Sequence, residues 1–205
     1  VYKRQPWEMS VVHHPTEPCN GWIRLGVGLA RRNPPLPKRG MIAGTLAVSL
    51  IAAATLRGAT RRFAIRETSM LPALEDGDWV IARRRTGRPD RGDIVVFDDP
   101  TGTGLHLVKR VIGLPGEHLG IERGRVTVNG ALLADRWAAG STLPDGAWEV
   151  ANDEVWLLGD NRRHSVTDGR VLGPTPLRDI PWLVVACYWP TARARMLTER
   201  TPQAP

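Results

Sequence analysis

Leu105-His106-Leu107-Val108-Lys109-Arg110-Val111-Ile112 is the run on which the reading of the fold turns. It is rich in β-branched and aliphatic residues and is followed by the breakers Pro115-Gly116. Side chains of a strand alternate between two faces, so Lys109 shares a face with Leu105, Leu107 and Val111. His106, Val108, Arg110 and Ile112 take the other. An ammonium group on an apolar face is desolvated unless a carboxylate meets it. Burial lowers the pKa of a lysine, and an amine that is neutral near pH 7 to 8 serves as a general base. The plainer alternative is that Lys109 pairs with a carboxylate or reaches out to water.

Working outward, the same pattern recurs. Trp79-Val80-Ile81-Ala82 follows the turn Glu75-Asp76-Gly77-Asp78, and Asp93-Ile94-Val95-Val96-Phe97 follows Arg91-Gly92. Residues 118–122 and 125–128 form a hairpin pattern around Glu122-Arg123-Gly124. Residues 154–158 are apolar and end at Gly159-Asp160, and the β-branched and aromatic run 182–189 stops at Pro190. Short strands punctuated by Gly, Pro and Asp predict a mostly-β domain, a compact antiparallel barrel or sandwich over residues 60–190. Arg83-Arg84-Arg85 reads as a solvated strand end. Residues 191–205 read as a loose polar tail.

The N-terminal part differs. Residues 1–40 hold six prolines, a His-His pair and seven basic residues, with no sustained periodicity. They read as a basic, Pro-rich tail, disordered or belonging to a mis-called start. Residues 41–56 (MIAGTLAVSLIAAATL) carry neither charge nor proline. As a helix they are about 24 Å long, and with Gly58 and Ala59 added and Arg57 snorkelling they reach the length of a membrane span. A single transmembrane anchor over 41–59 is the expectation, with a signal-peptide core and a buried helix as the other readings. Four basic residues on each side leave the orientation open.

The 205 residues carry 28 basic and 21 acidic side chains, a net charge of +7. Two cysteines exclude a disulfide scaffold and a four-cysteine zinc site. The five histidines show no metal-ligand spacing. The basic residues are 25 arginines and three lysines, and Lys109 is the one lysine after residue 41. A chain that uses arginine for ordinary positive charge has a reason to place lysine here, because lysine can lose its proton and arginine effectively cannot. Thr68-Ser69-Met70-Leu71-Pro72 lies between the apolar run and the first turn. Such a serine is ordinarily a turn or capping residue, but with a base in reach its hydroxyl becomes a nucleophile.

Four blocks in order resemble the bacterial type I signal peptidase family of serine–lysine peptidases. The first is Ser69-Met70-Leu71-Pro72-Ala73-Leu74 with Gly77-Asp78, and the second Arg91-Gly92-Asp93-Ile94-Val95-Val96-Phe97. The third runs from Val108-Lys109-Arg110 through Gly113-Leu114-Pro115-Gly116-Glu117 to Val128-Asn129-Gly130. The fourth is Gly159-Asp160-Asn161-Arg162 with Ser165, Asp168, Arg170 and Gly173-Pro174. The resemblance implies a membrane-anchored serine endopeptidase that removes signal peptides from exported preproteins. Ser69 would be the nucleophile and Lys109 its base, with no metal or cofactor. It further implies that Met70 meets substrate, that Ser165 hydrogen-bonds the lysine amine, and that Asp168 and Arg170 form a supporting ion pair. The implied partners are signal peptides or precursor proteins and membrane lipid, with no nucleic acid. The implied location is the cytoplasmic membrane, single-pass, with the catalytic domain on the extracytoplasmic side.

Three departures accompany the resemblance. Where the family usually has glycine or serine two residues before the nucleophile, this chain has Glu67. An ionised carboxylate cannot donate to an oxyanion and its charge would oppose one, so either Glu67 points away, or Thr68 or water substitutes, or activity is reduced. The block Ser165-Val166-Thr167-Asp168-Gly169-Arg170 is one residue longer than the family's, with glycine in place of a second serine, so either Ser165 or Thr167 faces the lysine. The stretch between Asn129 and Gly159 is too short for the large accessory domain of some relatives. Alternatives are a dedicated maturation protease for one precursor, such as a nickel superoxide dismutase-type precursor, and an inactive relative that binds peptides or membranes. A self-cleaving repressor is disfavoured because residues 1–60 show no helix-turn-helix.

Overall fold

Runs of Val, Ile, Leu and Trp broken by glycine and aspartate turns leave little choice but short strands. The computed structural model describes residues 12–13 and 59–197. In chain order the strands are β1 (Val12–His13), β2 (Thr60–Ile65), β3 (Trp79–Arg84), β4 (Ile94–Asp98), β5 (His106–Gly113), β6 (His118–Glu122), β7 (Arg125–Val128), β8 (Ala131–Leu132), β9 (Gly146–Glu149) and β10 (Glu154–Leu158). A single-turn helix α1 (Gly169–Leu172) follows, then β11 (Thr175–Pro176), β12 (Trp182–Trp189) and β13 (Arg195–Met196). Short 3-10 turns lie at Leu177–Asp179 and Thr191–Arg193.

The main sheet runs β1-β2-β3-β12-β4-β5-β10-β11, with β13 added to β12. Its pairings are antiparallel. Val12 pairs with Ile65 on one side and His106 on the other, so the first six strands close on themselves. A second sheet, β8-β7-β6-β9, occupies residues 118–149. The sequence reading placed only a hairpin there. Gly146-Ala147-Trp148-Glu149 has no β-branched residue to mark it, and it becomes a strand by pairing with β6.

Both faces of the central strands are buried, which is why β4 and β5 read as continuous apolar runs rather than alternating ones. Ile94, Val96 and Val108 join Phe63, Ile65, Met70, Leu74 and Val80 in one core. Val95, Phe97, Leu107 and Val111, on the opposite faces, join Val155, Leu157 and Ile180 in another. Ile112, Trp156 and Leu158 connect to the second sheet through Leu119, Ile121 and Val126.

Two boundaries shift. Arg83 and Arg84 are exposed as expected, but Arg85 is half-buried, its Nε donating to the Ile180 carbonyl at 2.8 Å. The chain beyond Pro190 does not leave the body at once. Arg193 Nε donates to Asp78 Oδ1 at 2.9 Å, β13 pairs with β12, and Leu197 is buried. Among the described residues no helix is long and apolar enough to cross a membrane. The anchor expected over 41–59 and the ends of the chain, 1–11 and 198–205, lie outside the described residues, except that Ala59 is described.

Candidate active site

Ser69 is presented by the chain leaving β2. Leu71 N–H donates to the Thr68 carbonyl at 3.1 Å and Leu74 N–H to the Met70 carbonyl at 2.9 Å, making a tight turn. Met70 and Leu74 are buried in the first core and anchor it. Met70 is a packing residue of this core at 2% exposure. Its flexible thioether fills the core beside Phe63 and Ile65.

Lys109 comes from β5, on the face it shares with Leu107 and Val111, opposite Val95 of β4. Its Nζ donates to Ser69 Oγ at 3.3 Å, and both residues are almost wholly buried, at 1% and 3% exposure. Burial is the largest influence on the amine and lowers it. The carboxylate of Asp168, then that of Glu67, pull it up; the Arg170 guanidinium pushes it down, and Asp160 adds a smaller upward pull. The result is a lysine lowered from 10.5 to about 8.

The third side of the site is the chain from β10 to α1. Asp168 caps α1, and Arg170 holds it through Nε to Oδ1 at 2.9 Å and Nη2 to Oδ2 at 2.9 Å. Ser165 Oγ donates to Asp168 Oδ2 at 2.7 Å, and Gly159 N–H to the same oxygen at 3.1 Å. Burial pushes Asp168 up, but the Arg170 and Ser165 bonds and the charges of Arg170 and Lys109 outweigh it and hold it below its ordinary value. Ser165 is buried, whereas Thr167 is half-exposed and Val166 exposed, so the extra residue bulges outward and Ser165 faces inward. The unexpected Gly169 is explained by packing. A Cβ there would sit 2.6 Å from Trp156 Nε1, which donates to the Gly169 carbonyl at 3.0 Å.

Two residues quoted in the fourth block acquire roles that pattern alone did not give. Asn161 N–H donates to the Ser69 carbonyl at 2.9 Å, and its Nδ2 donates to the Thr68 carbonyl at 3.1 Å, so one asparagine holds the Ser69 turn by two carbonyls. Gly159 lies where three segments meet. A Cβ on it would be 2.3 Å from Ser165 Oγ and 2.7 Å from the Ser69 carbonyl oxygen. The Gly-Asp-Asn-Arg run was the sequence signal for both. Thr68 is exposed beside the serine. Beneath the site Arg110 and Asp160 form a buried bidentate pair, Nε–Oδ1 at 2.7 Å and Nη2–Oδ2 at 2.5 Å. No group of three or more metal-ligating side chains exists among the described residues.

Residues 39–189 match the family described as "Signal peptidase, peptidase S26". The chain is 34% identical over 145 residues to a probable signal peptidase I-2 of Synechocystis sp., covering 66% of each. It is 35% identical over 165 residues to a signal peptidase I of Leptolyngbya laminosa, covering 73% of this chain and 79% of that one. It is also 34% identical to mitochondrial inner membrane protease subunit 1 of Schizosaccharomyces pombe, over 60% of this chain and 69% of the other. The crystal structure of a signal peptidase I from Enterococcus faecalis matches with a TM-score of 0.42 and 26% identity, covering 47% of this chain and 96% of that one. The chain belongs to the signal peptidase family, peptidase S26, a family of serine peptidases.

Proposed function

We propose that this chain removes signal peptides from precursor proteins, with Ser69 as nucleophile and Lys109 as general base. The observation that carries the assignment is the buried contact of Lys109 Nζ with Ser69 Oγ at 3.3 Å, made by an amine lowered to about 8. A neutral Lys109 takes the hydroxyl proton as Oγ bonds to the scissile carbonyl carbon. The negative charge passes to the carbonyl oxygen, where the Ser69 backbone N–H, with Thr68 or water beside it, is the donor set. The C–N bond then breaks, and Lys109 returns the proton to the departing amine. Water attacks the ester carbonyl as Lys109 takes its proton, the C–Oγ bond breaks, and Lys109 passes that proton to Ser69 Oγ, releasing the carboxyl product and free Ser69. Asp168, held by Arg170 and bonded by Ser165, keeps the chain around the lysine in place and sets the charge it feels.

The substrate reading is an extended segment with small residues ahead of the cut, met as an added strand. The anchoring reading is a membrane span over residues 41–59 with the body on the extracytoplasmic side, supported by the uncharged 16-residue run 41–56. The test is cleavage of a precursor ending in Ala-x-Ala by the full chain in detergent, alongside Ser69→Ala and Lys109→Arg. Cutting by wild type alone supports the assignment. Cutting that survives Lys109→Arg overturns it, because arginine supplies no neutral base. Folded wild type that leaves the generic precursor intact, yet cuts one particular precursor, moves the function to a dedicated maturation protease.

A further inference from the structure

His164 lies in the turn between Asp160 and Ser165, and the mechanism above gives it no part. Its backbone folds over Asn161: the N–H groups of His164 and Ser165 both donate to the Asn161 carbonyl, at 3.0 and 2.9 Å. This sets its ring against the asparagine side chain, with Nδ1 at 3.1 Å from Asn161 Oδ1. The other end of that side chain, Nδ2, donates to the Thr68 carbonyl at 3.1 Å. Only the nitrogen of an amide can donate to a carbonyl, so the oxygen is the atom that meets His164. An amide oxygen only accepts, so Nδ1 carries a proton in this arrangement. With the ring protonated on Nε2 alone, two acceptors would face each other. Turning the amide to relieve them would put its oxygen against the Thr68 carbonyl.

The Thr68 carbonyl belongs to the same peptide as the Ser69 N–H. That peptide is trans, so its C=O and N–H point in opposite directions in one plane. Leu71 N–H and Asn161 Nδ2, each at 3.1 Å, hold the carbonyl, and Asn161 N–H at 2.9 Å holds the next one, of Ser69. Whatever fixes the Thr68 carbonyl therefore fixes the direction of the Ser69 N–H on the far side of the plane. A carbonyl that accepts hydrogen bonds also polarises its peptide, which makes the N–H a stronger donor. The bonds from His164 to Asn161 and from Asn161 to Thr68 thus form a chain, ring to amide to peptide, that ends on that N–H.

We propose that His164 is a positioning residue for the Ser69 peptide: its Nδ1–H orients the Asn161 amide, and the amide holds the Thr68 carbonyl and with it the Ser69 N–H that receives the oxyanion. The inference rests on the Ser69 active-site reading for its effect on cleavage, but not for the state of the ring. His164 acts through Asn161 and takes no part in moving a proton to or from the serine. Its ring is exposed and Asn161 is half-buried, so the effect is on the scale of one ordinary hydrogen bond rather than of the loss of Ser69 or Lys109.

The chain has five histidines, His13, His14, His106, His118 and His164, so 15N-labelled histidine gives few ring signals, and His164 is assigned by its loss in His164→Asn. In the full chain in detergent, two-bond 1H–15N correlations should show the neutral His164 ring protonated on Nδ1, and Asn161→Ala should abolish that preference. His164→Leu removes the donor, and His164→Asn returns one, because the asparagine Nδ2 takes the place of the ring Nδ1. On an Ala-x-Ala precursor, kcat should fall about fivefold in His164→Leu with KM little changed, and recover in His164→Asn. In an Asn161→Ala background the His164→Leu change should add nothing to the loss already made. A wild-type ring protonated on Nε2 alone overturns the proposal. So does a His164→Leu protein that cuts like wild type, a loss that His164→Asn does not recover, or one that adds in full to that of Asn161→Ala. If Asn161→Ala fails to fold, the wild-type tautomer and the His164→Leu and His164→Asn pair decide the matter. Cleavage that survives Ser69→Ala refutes the active-site assignment instead, and the ring tautomer still judges the chain of bonds.

Discussion

Replacing Gly159 with alanine tests whether the three segments around Ser69 are as closely fitted as the geometry states. The added methyl group would lie 2.3 Å from both Cβ and Oγ of Ser165 and 2.7 Å from the Ser69 carbonyl oxygen. Ser165 must retreat by about 1 Å to reach ordinary contact. Its Oγ is bonded to Asp168 at 2.7 Å, and the Ser69 carbonyl is held by Asn161, so neither neighbour is a loose side-chain end. Overpacking of this kind costs about 3 kcal/mol, which lowers the melting temperature by about 10 °C for a domain of this size. The effect on cleavage should be larger in proportion, because a displacement of 1 Å at the reacting groups costs roughly 100-fold in rate. Thermal unfolding and kcat on an Ala-x-Ala precursor are measured together. Gly87→Ala is the control, since a Cβ there meets nothing within 4 Å and its φ is not in the left-handed region; it should be neutral or stabilising by about 0.5 kcal/mol. A Gly159→Ala protein that melts and cleaves like wild type refutes the fit. One that melts early but cleaves normally shows that the crowding is real and does not bear on the serine.

Three further outcomes follow from the same geometry. Lys109→Met should abolish cleavage yet be more stable than wild type at pH 7 by about 3 kcal/mol, measured by urea midpoints. The sign comes from a folded-state value near 8 against an ordinary 10.5. Below 8 the folded protein bears the full burden of a buried ammonium, and between 8 and 10.5 its stability climbs, so the gap should close by pH 10.5. Asp168→Asn should destabilise by about 3 kcal/mol at pH 7 by stranding Arg170. The contribution of Asp168, whose folded value is held low, is complete above its ordinary 3.8 and disappears as pH falls through the folded value, so acid melts of variant and wild type should converge. Gly169→Ser, which restores the residue type expected from the family, should lower the melting temperature because its Cβ would meet Trp156 at 2.6 to 2.8 Å.

The strands from β3 onward were legible where a β-branched or aromatic run has a breaker at its end, and 182–189 emerges with the expected limits; β2, with two arginines among its six residues, was not. β9 was not, because Gly146-Ala147-Trp148-Glu149 owes its form to its partner rather than to its own propensity. Lys109 stood out by residue type, a lone lysine among arginines, whereas Ser69 stood out only through the block Ser69-Met70-Leu71-Pro72 that resembles the family. Their separation of 3.3 Å depends on strand pairing that residue type does not encode. That Ser165 is buried and Thr167 is not, and that Met70 lies in the core, follows from packing that residue type does not encode. Glycines 159 and 169 carry their meaning in atoms they lack, which appears only when their neighbours are in position.

The preference for arginine has a consequence for the conditions this protein tolerates. The cations that tie the body together are guanidinium groups: Arg91 to Glu117, Arg110 to Asp160, Arg162 to Asp135, Arg170 to Asp168 and Arg193 to Asp78. A guanidinium effectively keeps its proton in proteins, whereas an ammonium can lose it. With lysines in those places, the pH that generates the free amine would also begin to discharge the pairs supporting it. With position 109 the one lysine after residue 41, the side chain that can lose its proton is kept apart from the charges of these ion pairs. Alkali strong enough to discharge an ammonium therefore leaves arginine–carboxylate pairs of this kind intact.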